Sequence, residues 1–268
     1  YAAARGVGLY EAGLTADFNN AVFPESTGYA GCGAYEPLMA WRGQVPQGWE
    51  SIRYMLPTAT HVYWGVLNAL DKHADYITFE HHFWQDDAGN PISENFPAFA
   101  LANRFLGRSL ADTPSVWVAL REHRQETAGN PYWPQWGNYS FWLYQDHAAP
   151  GGRTVPETND DNIYAPTHNP DLPDGKEGWV TRRTDQASGN PSMWFKIDDG
   201  YIYGDSPQVV VSVTYWDHGT DTWALLYDAV SGERAAIPVG GDQPFVVKAN
   251  SGQWRVAQFV ITDARLAN

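Results

Sequence analysis

Apolar residues in this chain change their period near residue 113, and few architectures accommodate such a change. Before it, short apolar blocks alternate with stretches of helical spacing. Val7-Gly8-Leu9-Tyr10 is one such block, ending at Glu11, and Asp75-Tyr76-Ile77-Thr78-Phe79 is another. Between them, segment 50–72 puts Val62, Val66, Leu67 and Leu70 on one helical face. Pro57 predicts a kink or a division there, because proline removes a backbone donor and crowds the preceding turn. Segment 23–47, rich in Gly and Pro, reads as a loop. A turn at Asp86-Asp87-Ala88-Gly89-Asn90-Pro91 leads to a second amphipathic helix over 96–106. Strand, helix, strand, helix with apolar strands predicts a parallel β/α arrangement.

After the change the pattern is all-β. Strands are expected at 116–120, 139–144, 178–183, 193–196, 209–215, 222–227, 245–248 and 253–262. Gly151-Gly152, Asp198-Asp199-Gly200, His218-Gly219, Ser231-Gly232 and Gly240-Gly241 punctuate them. Short strands at that spacing predict an antiparallel β-sandwich or jelly roll. The expected fold class is therefore α+β and multidomain. A partial β/α, barrel-like region spans 1–112, and a β-sandwich spans 113–268. Segment 148–177 reads as a long irregular loop, a type that usually bears ligands.

Charge narrows the partners. With 31 acids against 17 bases the net charge is −14, which repels phosphate backbones and disfavours nucleic acid. No apolar run reaches the about 18–20 residues that span a bilayer. The single cysteine, Cys32, excludes an intrachain disulfide framework. No Gly-x-Ser-x-Gly elbow, P-loop or dinucleotide fingerprint is present.

Several segments carry a resemblance. Val7-Gly8-Leu9-Tyr10-Glu11, the helix Tyr63-Trp64-Gly65-Val66-Leu67-Asn68-Ala69-Leu70-Asp71-Lys72 and Asp75-Tyr76-Ile77-Thr78-Phe79 resemble the last two strands and intervening helix of a retaining glycoside-hydrolase TIM barrel. Phe99-Ala100-Leu101-Ala102-Asn103-Arg104-Phe105-Leu106-Gly107 resembles its closing helix. Segments 209–228 and 254–265 are similar to β-sandwich modules appended to secreted bacterial glycosidases. The resemblance implies that Glu11 ends the seventh barrel strand as the nucleophile, since catalytic residues of these barrels lie at strand C-termini. Retaining enzymes place a second carboxylate about 5–5.5 Å away, and in the family it comes from the fourth strand. A whole barrel takes about 250 residues. The chain is therefore expected to be a C-terminal portion, needing an upstream segment or identical subunits as partners. Glu80, at the end of the eighth strand, and Glu36 are the local alternatives for the acid. His81, His82 and Trp84 stand beside Glu80, and Tyr35 and Glu36 lie in the Gly-rich loop over the mouth.

The chain has 13 Trp, 15 Tyr and 11 Phe. Sugar rings stack their C–H faces on aromatic planes, so a carbohydrate partner is expected. Tyr132, Trp133 and Trp136 form the densest loop cluster and are the expected stacking residues, because exposed loop aromatics bind more often than they pack. Trp117, Trp142, Trp194 and Trp223 fall inside strand patterns and are expected in the core. Adjacent histidines on a strand face opposite ways, which disfavours zinc at His81-His82. Oxygen-rich loops at 158–162, 171–175 and 198–200 make calcium the metal to consider, although none matches the helix–loop–helix calcium signature. No other cofactor is implied. Two alternatives to the hydrolase remain: a non-catalytic carbohydrate-binding module, and an extracellular filament or surface-layer subunit that covers exposed strand edges. All three readings place the chain outside the cell or on its surface.

Overall fold

The structure is a computed structural model that describes residues 9–11, 46–51, 59–71, 73–79, 81–120, 138–146, 148–158, 180–205 and 208–266. Strands dominate it. The chain divides into two compact units, Tyr1–Lys196 and Ile197–Asn268.

In the first unit, β1 (Leu9–Glu11), β2 (Gln47–Ser51) and β3 (Tyr76–Phe79) form a parallel sheet in that order. Helix α1 (Ala59–Asp71) crosses between β2 and β3. Among the described residues these three strands do not close into a barrel. The expected helix over 50–72 therefore begins at Ala59, and its first residues belong to the middle strand instead. Gln47-Gly48-Trp49-Glu50-Ser51 has one large apolar residue and a glycine, so it lacks the apolar block that marks a buried strand. Pairing with two neighbours overrides that weak propensity.

Val62, Val66, Leu67, Ala69 and Leu70 are buried along α1. The helix stops where His73 turns left-handed, at φ 55°. There His73 N–H donates to Leu70 O (2.8 Å) and Ala74 N–H to Ala69 O (3.0 Å), the two bonds of a Schellman closure. Helix α2 (Phe96–Phe105) starts with Pro97 in its first turn and buries Ala98, Ala102 and Phe105.

The first strands of the all-β segment pack on the same core. Strands β4 (Trp117–Ala119) and β5 (Tyr139–Phe141) pair antiparallel. Trp117 and Phe141 face each other across the rung, their rings stacked 5.4 Å apart. Phe141 is fully buried with Val62, Val66 and Phe105, and Tyr139 is buried with Leu67. Ser140 N–H donates to the Asp71 carboxylate (2.7 Å), tying β5 to the end of α1. The expected strand 139–144 is cut in two at Trp142, whose φ of 55° leaves the extended region, and β6 (Leu143–Gln145) follows. β7 (Thr154–Thr158) and β8 (Val180–Thr184) pair antiparallel. β7 runs through the start of the expected irregular loop. Its Thr154 takes Arg182 through Nε on Oγ1 (2.6 Å) and NH2 on the carbonyl (2.7 Å). β9 (Phe195–Ile197) pairs with β6.

In the second unit β10 (Gly204–Asp205) pairs with β17 (Arg265–Leu266). β11 (Val209–Trp216) pairs antiparallel with β16 (Trp254–Ile261) over eight residues. β12 (Thr222–Trp223) pairs with β15 (Val246–Val247), and β13 (Leu226–Ala229) with β14 (Gly232–Ala235). Val209, Val211, Val213 and Tyr215 alternate inward from β11 to meet Ala257, Phe259 and Ile261. Trp223, Leu225, Tyr227, Val246 and Leu266 pack against the same cluster.

Candidate functional site at the end of the parallel sheet

The C-terminal ends of parallel strands carry unpaired backbone and the loops that follow, which makes this edge the natural place for a ligand. Glu11 is the last residue of β1 and stands level with Trp49 of β2, which stands level with Ile77 of β3. Ile77 and Phe79 pack against the helical core. Beyond β3 the chain makes a single 3-10 turn over His81–Phe83, whose first residue, His81, is exposed. The His81 carbonyl accepts from Trp84 N–H (2.9 Å) and Gln85 N–H (3.0 Å).

Trp84 then projects at the rim, 44% exposed. Its indole lies 4.1 Å from the Phe99 ring and edge-on to Phe79 at 5.6 Å. Phe96, 45% exposed, lies 6.3 Å from Phe99 and extends the aromatic surface. The backbone below is held from two sides. Ile92 N–H donates to Trp84 O (2.8 Å), and buried Asn95 donates through Nδ2 to Phe83 O (2.9 Å). Between Trp84 and Ile92 the chain is a tight hairpin, with Gln85 bridged to Pro91 and Asp86 N–H donating to Asn90 O at 2.9 Å. The Asp86 carboxylate accepts from Asn90 Nδ2 (2.9 Å), Asn90 N–H (2.8 Å) and Ala88 N–H (2.9 Å). Those donors, the Asn90 side chain first, hold the Asp86 carboxyl below the usual range. An exposed indole on so fixed a base loses little freedom on binding a flat ligand.

The structure brings His81 and Trp84 into one segment at the end of β3. But β2 lies between β1 and β3, so the two strands expected to be the consecutive last pair of a barrel are not neighbours, and Glu11 closes the far strand of the sheet. Glu80, Tyr35, Glu36, Tyr132, Trp133 and Trp136 lie outside the described residues, as do the side chains of Glu11 and His82. Of the tryptophans expected in the core, Trp142 is buried, and Trp117 and Trp223 pack against core clusters. Trp194 is not: it is 47% exposed, beside Phe195 at 45%. It sits over Gly152, where a Cβ would come within 2.7 Å of Trp194 Cδ1. β9 begins one residue later, at Phe195, and its first two residues are exposed as well, so strand character did not bring burial here. Sequence reasoning also passed over Phe96, placed by Pro97 at the exposed mouth of α2. Trp216, Trp254 and Asp217 of the second unit escaped it too.

Among the described residues no three His, Cys, Asp or Glu side chains converge as a metal cluster. In the oxygen-rich loop 198–200 the Asp198 carboxylate accepts from Gly200 N–H (2.9 Å), the ordinary closure of an Asx turn. Nor is any described helix long and apolar enough to cross a membrane. The chain matches no known family model, no curated protein and no solved structure at a significant level.

Proposed function

We propose that this chain is the C-terminal portion of a retaining glycoside hydrolase of the TIM-barrel type, joined to a β-sandwich module and acting on polysaccharide or oligosaccharide outside the cell. The observation that carries the reading is Trp84, an exposed indole held rigidly at the C-terminal edge of a parallel sheet whose first strand ends in Glu11. The crossing of α1 between β2 and β3 is the β/α repeat such a barrel is made of. In this reading Trp84 stacks on a sugar ring and the Glu11 carboxylate attacks the anomeric carbon. The acid that protonates the leaving oxygen is Glu80 or a carboxylate from an upstream strand.

The test is turnover of a panel of aryl β-glycosides by the full-length gene product. Glu11→Gln should cut kcat by about a thousand-fold or more while circular dichroism stays unchanged. Unchanged turnover removes Glu11 from the mechanism. Trp84→Ala should weaken substrate affinity about tenfold, equivalent to about 1.4 kcal/mol. A protein that hydrolyses nothing yet loses glycan binding on Trp84→Ala is a carbohydrate-binding module instead, the reading favoured by the exposure of Trp84 together with Phe96.

A further inference from the structure

The second unit has a face that its own core does not use. Along β11 and β16 the residues opposite the core pair in four successive rungs: Val210 with Val260, Ser212 with Gln258, Thr214 with Val256, and Trp216 with Trp254. The strand rise of about 3.4 Å per residue spreads these rungs over about 20 Å. Val210 and Val256 are each 62% exposed and Val260 is 52% exposed. Ser212, Gln258 and Thr214 are also exposed. Gln258 Nε2 reaches Ser212 Oγ at 3.4 Å, leaving most of the amide's hydrogen-bonding capacity outward. At the end of the ribbon the Trp216 and Trp254 rings are 5.5 Å apart and tilted 59°.

None of the eight positions carries a charge, in a chain with 31 acids and 17 bases. Arg255, which alternates with the strip residues along β16, is exposed and lies 3.9 Å from Asp217. The loops bounding the Trp end are pinned. The Asp217 carboxylate, 1% exposed, accepts from Ala249 N–H (2.8 Å), Ser251 N–H (3.1 Å) and Ser251 Oγ–H (2.5 Å). Gly219 N–H donates to Asn250 Oδ1 (2.8 Å). A neutral strip of methyls, hydroxyls, an amide and two indoles beside pinned loops suits a partner with apolar C–H faces, hydroxyl edges and no charge.

We infer that the outer face of β11 and β16 is a binding surface for an uncharged polysaccharide chain. The make-up of the strip selects this occupant over a second copy: two hydroxyls and an amide lie between the valines, which a neutral hydroxyl-rich chain can satisfy and an apolar copy-to-copy contact would leave unpaired. Its ligand class rests on the carbohydrate reading of the first unit, but its residues share nothing with that site.

The test is native affinity electrophoresis of the full chain in gels cast with soluble β-glucan, xylan or mannan. Sedimentation of the same variants is run in parallel. Retardation is expected on at least one neutral polymer, and Val256→Glu or Gln258→Ala should weaken it tenfold or more. Both substituted side chains point to solvent, so folding is retained. Trp216→Ala should act likewise, while Gly189→Ala, in an exposed turn of the first unit, should leave retardation untouched. No retardation on any polymer overturns the inference, as does retardation indifferent to Val256→Glu and Gln258→Ala. A sedimenting mass of two chains that Val256→Glu returns to one also overturns it, making the face a contact between copies.

Discussion

Asp217 shows how one residue organises a region that its neighbours in sequence do not announce. In sequence it reads as the start of a turn, Asp217-His218-Gly219. Its role appears only when two amides and a hydroxyl from residues 249–251 converge on it. Nothing in a local pattern encodes a partner more than thirty residues away, so this acid was illegible. Trp84 was legible because it follows an apolar strand directly. Tyr227 makes a comparable long-range bond, its hydroxyl donating to Asp263 Oδ1 (2.7 Å), and Arg234 NH1 reaches Asp263 Oδ2 at 2.6 Å. That donation raises the Tyr227 pKa, and Asp263, holding the same bond, is lowered. Tyr227→Phe should destabilise the protein by about 1 kcal/mol, the net value of such a bond. Urea unfolding measures it, and an unchanged midpoint would mean that Arg234 alone satisfies Asp263.

At the scale of elements, two hairpins built alike explain which turns a sequence reveals. Asp86 and Asn90 close one, and Asp185 and Asn190 the other, with Gly89 and Gly189 at φ +84° and +80° just before the asparagine and a proline just after. A Cβ at either glycine meets nothing within 4 Å, so substitution is opposed only by the left-handed backbone. Gly89→Ala and Gly189→Ala should each cost about 1–2 kcal/mol, and the Asn replacements less, because asparagine tolerates that conformation. Equal losses for Ala and Asn would show a packing role instead. Gly and Pro made the 86–91 turn readable in advance. β2 was not, because its apolar content is one tryptophan and its strand character comes from neighbours on both sides. The break at Trp142 was hidden for the opposite reason. Tyr139 to Tyr144 is rich in aromatic, β-prone residues, and the turn of the backbone is accompanied by long-range partners: His73 against Phe141 (5.0 Å) and Trp142 (4.4 Å), and a bridge from Trp142 to Trp117.

For the whole molecule, the change of period near residue 113 foretold a change from parallel to antiparallel pairing, but not where the cores lie. The first core takes β4 and β5 from beyond that change, because Phe141 and Trp117 fill the space beside α1 and α2. The second is built around Phe259. Charge acts on both units together. The carboxyls of Asp86, Asp146, Asp217 and Asp263 are all held low: by Asn90, by Lys196, by Ser251 and by Tyr227 respectively as the largest cause. A carboxyl lower in the folded than the unfolded chain contributes its stability fully above the unfolded value of about 3.9, and loses it as pH falls through the folded value. Acidification from neutrality first has the opposite tendency, since the net charge of −14 shrinks towards the isoelectric point near 4.8 and self-repulsion falls. The two effects cross. The urea midpoint should rise slightly from pH 7 to about 5 and fall steeply below about 4, and Asp217→Asn should flatten that acid limb. A midpoint still climbing below pH 4, or an acid limb unchanged in Asp217→Asn, would show that these hydrogen-bonded carboxylates do not govern the stability of the fold.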